Sequence, residues 1–224
     1  MNFLSHYYFD RNNSNPYEVL GMVLPDLIKN ADKSWNIHLE KNAQLFTDND
    51  ESKSLIKGWE RHLLVDRLFH SSSFFYHHQH EIKLKIREAI IESPVKPFFL
   101  GHISLELLLD GFLLSENLID VNKFYDLINR VDENVLEQFL FLNGIEDTEK
   151  FFRFFTMFKN EKFLFSYTNP EKITYALKRI CMRLWQNPFT EEQEQSLTKS
   201  LILYKSKLSG EFLPIFELIE SQLN

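Results

Sequence analysis

Residues 98–114 read FFLGHISLELLLDGFLL, an apolar run of helical length broken only by His102, Ser104, Glu106 and Asp110. His102, Glu106 and Asp110 recur at steps of four. Each such step advances about 40° around an α-helix, so the three form one slanting stripe. The large neighbours are Leu, Ile and Phe, which predicts a buried helix. A buried carboxylate without a partner costs several kcal/mol, on the order of the penalty for any uncompensated buried charge. Two carboxylates and an imidazole on one buried stripe therefore call for a shared positive partner, and a divalent cation fills that need most simply.

The rest of the chain is helical by the same reading. Only 6 Gly and 7 Pro interrupt 224 residues, and helical spacing dominates between them, which predicts an all-α, single-domain multi-helix bundle over residues 1–224. Asn15 and Pro16 suit a helix start, with the helix running to about Asn30. Pro25 lies inside it and is expected to kink or break it. A short helix is read at 37–46, a loop and cap at 47–54, a long helix from Ser54 to about Ser71–Ser73, and another over 74–92. After Ser115, shorter amphipathic helices are read at about 121–131, 132–142, 147–160, 170–186, 190–208 and 211–222. The polar clusters all lie before residue 111, so 120–224 reads as packing helices or a lid.

Composition narrows the function. With 25 Lys+Arg against 32 Asp+Glu, the formal net charge is −7, and no dense basic block is present, so nucleic acid is not an expected partner. Lys83, Lys85 and Arg87 read as a solvated helix face. No signal peptide and no uninterrupted apolar run of spanning length is seen, which predicts no membrane partner and a cytoplasmic location. Cys181 is the single cysteine. A disulfide within the chain is excluded, a cysteine zinc site is implausible, and a packed small residue is the ordinary reading.

A second stripe lies in GWERHLLVDRLFH (58–70), where His62, Asp66 and His70 are again spaced by four among Leu63, Leu64, Val65, Leu68 and Phe69. Imidazole nitrogens and carboxylate oxygens together suit Mn²⁺, Fe, Zn²⁺ or Mg²⁺ to differing degrees. Two such stripes facing each other would hold one or two ions, as helical metal proteins do. Competing readings stand beside this one. His70 precedes three serines and sits at a helix end. Asp66 could pair with Arg61 or Arg67. His102 could be a core histidine bonded to a carbonyl, and the whole set could be a buried polar network. His6 and Asp26 are further candidates, each also explicable as an isolated polar group that finds a hydrogen bond. His77, His78 and His80 share no single helical face and read as solvated.

MNFLSH at 1–6, LGMVLPDL at 20–27 and RHLLVDRLFH at 61–70 resemble the acyl carrier protein phosphodiesterase family, which opens MNFLAH, continues with a GNLLADF-like segment and then has H-R-x-I-D-x-F-T-D. The resemblance covers about the first 110 residues. It implies an HD-phosphohydrolase-like all-α fold, a divalent metal with Mn²⁺ or Mg²⁺ favoured, and hydrolytic release of 4′-phosphopantetheine from a carrier protein. By position it implies functional roles for Asp26, His62 and Asp66, with Asp110 resembling the acid of a W-D-H-F-L segment. Pro25 stands where that family has alanine, His70 where it has aspartate and Gly111 where it has histidine. His102 and Glu106 are additions, and GHISLELLLD resembles the G-H-x-x-x-D/E stripes of helical zinc phosphoesterases.

The functional expectation is metal-assisted hydrolysis of a phosphoester. His6, Asp26, His62, Asp66, His70, His102, Glu106 and Asp110 are candidate ligands, and Asp26 or Glu106 is the proton acceptor. Arg61, Lys29 or Arg67 would neutralise charge on the transferring group. The partner is an acyl carrier protein or another small phosphoester. The rival from another class is a non-catalytic helical binding protein with a relic site. A di-iron carboxylate bundle is disfavoured because the chain has no E-x-x-H. No G-x-S-x-G, P-loop, dinucleotide glycine motif or H-E-x-x-H is present either.

Overall fold

The computed structural model describes residues 1–46 and 49–223. Among them no strand occurs, and the α-helices are α1 (Phe3–Tyr8), α2 (Pro16–Ala31), α3 (Leu39–Asn42), α4 (Asp50–His70), α5 (Ser73–Ile86), α6 (Pro97–Ser115), α7 (Val121–Asn129), α8 (Glu133–Leu142), α9 (Thr148–Glu161), α10 (Pro170–Cys181), α11 (Glu191–Leu208) and α12 (Leu213–Leu223). Short 3₁₀ turns follow α3, α5 and α9. The all-α expectation therefore holds.

Local chemistry sets most of the boundaries. The Asn15 side chain accepts from the backbone of Tyr17 and Glu18 ahead of Pro16, as expected of a cap followed by proline. Helix α2 runs through Pro25 without a break, so of the expected kink or break the break does not occur. Eight residues of α2 are buried, from Val19 to Ile28, and that packing outweighs the ~3 kcal/mol that an interior proline costs an isolated helix. Helix α4 starts four residues before the expected Ser54. Asn49 accepts from Ser52 N at 2.6 Å, and Asp50 and Glu51 meet the positive end of the helix dipole. Thr47 and Asp48 of the expected loop lie outside the described residues.

By compactness the chain divides into two units. One comprises residues 6–65 and 119–163. There α2 packs against α7 and α9, and it crosses the first part of α4 so closely that a Cβ on Gly21 would lie 2.2 Å from the Leu55 carbonyl oxygen. Tyr7, Phe124, Tyr125, Phe151, Phe155 and Phe158 fill its core.

The other unit comprises residues 1–5, 66–118 and 164–224. Helix α6 is its axis, packed between α5 and α10, with α11 against both of those. Proline at the first turn starts α6. Gly101 then allows close approach to α5, since a Cβ there would meet the Gln79 carbonyl oxygen at 2.9 Å. Among the described residues α6 alone is long and apolar enough to cross a membrane, and 61 % of that stretch is buried.

Candidate metal centre

The expected site residues are divided between the units: His6, Asp26, Arg61 and His62 belong to one, and Asp66, His70, His102, Glu106 and Asp110 to the other.

In the α6 unit, three ligand-type atoms converge. His102 Nε2 lies 3.0 Å from Glu106 Oε1, His70 Nε2 lies 3.1 Å from the same oxygen, and the two imidazole nitrogens are 3.2 Å apart. Sequence and local geometry explain the placement. His102 and Glu106 are one turn apart on α6, so both side chains cover the same strip of its surface. His70 is the last residue of α4, and the following turn is closed by Ser72, whose hydroxyl caps α5 by accepting from Phe75 N. That turn sets the Phe75 ring edge-on to both imidazoles, 4.8 Å from His70 and 5.0 Å from His102.

The tautomer of His70 follows from its other nitrogen. Nδ1 lies 2.8 Å from the Asp66 carbonyl oxygen, which can only accept, so Nδ1 carries the proton and Nε2 presents its lone pair. That lone pair faces the Glu106 carboxylate oxygen, itself an acceptor. A proton or a cation shared among the three atoms removes the opposition. This is the backbone-anchored histidine arrangement that metal ligands use.

Glu106 is anionic here. Burial works to raise its pKa, but the Met1 α-ammonium and the hydrogen bond from His102 outweigh it and hold the carboxyl well below its usual range. The ammonium lies 3.2 Å from Glu106 Oε1 and 2.5 Å from Asp66 Oδ1. Side chains of His70, His102 and Asp66 are each about one-third exposed, at 30 %, 32 % and 34 %, so the cluster opens to solvent.

Asp110, one turn further along α6, is used differently. Its carboxylate accepts from Asn2 Nδ2 at 2.8 Å, Leu4 N at 3.1 Å, Ser5 N at 2.7 Å and Ser5 Oγ at 2.6 Å. It is a remote cap for the first turn of α1, whose backbone N–H groups have no partner within the helix. Burial pushes its pKa up to about 6 despite those donors. Both oxygens are engaged, so Asp110 is not placed to act as a ligand with Glu106.

In the α2 unit, His6 and His62 are both buried and their rings stack at 3.8 Å. His62 Nδ1 donates to the Met22 carbonyl at 2.9 Å. Arg61 Nη2 donates to the Phe9 carbonyl, and its Nε lies 3.3 Å from Asp10. That guanidinium is spent on the turn after α1, which weighs against its expected role at a phosphoryl group. Asp26 is half-buried on α2, its carbonyl accepting from Asn30. Lys29 bonds Asn36 on an exposed face, and Arg67 is exposed.

One expected surface residue is core. His77 and His80 are exposed, but His78 is only 3 % exposed, with Nδ1 2.7 Å from Tyr204 Oη. Burial lowers its pKa to about 4. The signal was present in the sequence: Phe75, His78, Gln79, Ile82 and Ile86 lie on one helical face.

No protein-family model, curated protein or solved structure matches the chain.

Proposed function

We propose that the chain is a metal-dependent phosphoester hydrolase. The observation that supports it best is the meeting of His70 Nε2, His102 Nε2 and Glu106 Oε1 within 3.2 Å of one another, from two different helices. Two neutral imidazoles and one carboxylate match the donor set of catalytic sites that keep a position open. A bound divalent ion would supply Lewis acidity toward a phosphoryl oxygen and a water of lowered pKa. His70, His102 and Glu106 would hold that ion. The Asp66 carbonyl keeps the His70 lone pair directed inward, and the partly exposed Asp66 carboxylate is the proton acceptor. Phe75 shields one side of the imidazoles from water. The resemblance of about the first 110 residues to acyl carrier protein phosphodiesterases supplies the bond type, a phosphodiester, with a phosphopantetheinylated carrier protein or another small diester as substrate.

The test is hydrolysis of bis(p-nitrophenyl) phosphate, p-nitrophenyl phosphate and a phosphopantetheinylated carrier protein by metal-depleted and Mn²⁺- or Fe²⁺-reloaded protein. Turnover restored by reloading and lost in Glu106→Gln supports the proposal; equal turnover without metal, or none on any substrate, refutes it. A second reading, a non-catalytic helical protein, is favoured by the Met1 ammonium, which already balances Asp66 and Glu106. It predicts no stoichiometric metal.

A further inference from the structure

We infer that His70, His102 and Glu106 occupy three adjacent corners of a six-coordinate site selective for Fe²⁺, with Mn²⁺ the nearest substitute, whose three remaining corners take water and a chelating oxyanion. The inference rests on the metal-binding reading above and goes beyond it to the ion and its ligand.

The separations of the ligand atoms carry it. Atoms bound ~2.1 Å from one ion stand about 3.0 Å apart at octahedral angles and about 3.4 Å apart at tetrahedral ones. The three observed separations are 3.0, 3.1 and 3.2 Å. The two nitrogen–oxygen separations sit near the octahedral value and the nitrogen–nitrogen one lies midway between the two, and because every pair is short, the atoms form one triangular face rather than a belt around the ion. Two imidazoles and one carboxylate on a face is the donor set suited to Fe²⁺, while Zn²⁺ prefers the tetrahedral spacing. Mg²⁺ prefers oxygen donors and gives up water reluctantly, so two imidazoles disfavour it.

The two histidines reach solvent, whereas the buried Met1 ammonium, 3.2 Å from Glu106 Oε1, would yield to the ion. The His70 and His102 side chains keep 30 % and 32 % of their surface exposed. Three adjacent exchangeable positions would let two oxygens of one oxyanion bind beside a water, which a tetrahedral site with one open corner does not allow. The His70 ring and the α6 backbone are each held from a second side. His70 is pinned through Nδ1 to the Asp66 carbonyl, and α6 is seated on α5 at Gly101.

Metal-depleted full-length protein is titrated with Co²⁺ alone and followed by visible absorption. The expected result is one Co²⁺ per chain with the weak spectrum of a six-coordinate ion, shifted but not intensified by inorganic phosphate. Affinity should fall about 100-fold or more in His102→Ala and in the isosteric Glu106→Gln, with helical circular dichroism unchanged. An intense tetrahedral spectrum, or binding indifferent to both variants, overturns the inference. Tetrahedral Co²⁺ in an active hydrolase removes the coordination claim and leaves the hydrolase. Six-coordinate Co²⁺ in a protein that cleaves no phosphoester does the reverse.

Discussion

Glu106 and Asp110 are neighbouring turns of one helix, yet their surroundings give them opposite roles. Glu106 faces two imidazole nitrogens that reach solvent and is held ionised. Asp110 is fully buried, receives four donors from residues 2–5 and has its pKa raised to about 6. A polar stripe on an apolar helix thus fixes only where the charges lie. Whether each becomes a ligand or a cap depends on which donors arrive from elsewhere in the chain.

The largest effect should come from Asp110→Ala, which leaves several buried donors without an acceptor. Roughly 3 kcal/mol of folding stability should be lost, measured by urea unfolding, with metal affinity of the folded fraction retained. Loss of metal binding with no loss of stability would reverse the two roles. Glu106→Gln should do the opposite: about 100-fold weaker metal binding, equivalent to about 2.7 kcal/mol, with a melting temperature close to that of the parent.

The sequence made the helices and the His102–Glu106 pair legible because both rest on spacing within a single element. It did not reveal the fate of Asp110, because the donors come from 105 to 108 residues away. The helical face carrying His78 was legible, but its partner Tyr204, 126 residues along the chain, was not. Proline at 25 read as a kink or a break, and the break is absent because local propensity was weighed without the packing that surrounds α2. The short loop before α4 hid a cap at Asn49 because asparagine serves in loops and caps alike.

Two smaller measurements sharpen the contrast. Gly111, beside Asp110, lets α6 approach the 164–168 turn, and a Cβ there would lie 2.5 Å from the Tyr167 carbonyl oxygen. Gly111→Ala should cost about 2 kcal/mol through overpacking against backbone, again by urea unfolding; a neutral result would show that the Asp110 end of α6 is looser than described. The smallest effect is in pH dependence. Because the folded Asp110 carboxyl titrates near 6 rather than 3.8, folding takes up a proton between those values. Its contribution to stability is full below about pH 4 and is lost as pH rises through about 6. Asp110→Asn should flatten that part of the stability–pH curve, and an unchanged slope would assign the proton elsewhere.

Whether His70, His102 and Glu106 share one cation decides between a metal centre and a polar network. Equilibrium dialysis of the full-length protein against Mn²⁺, followed by elemental analysis, measures this directly in the parent and in His102→Ala. One ion per chain in the parent and almost none in the folded variant is the predicted result. Equal metal content in the two proteins, or none in either, would contradict it.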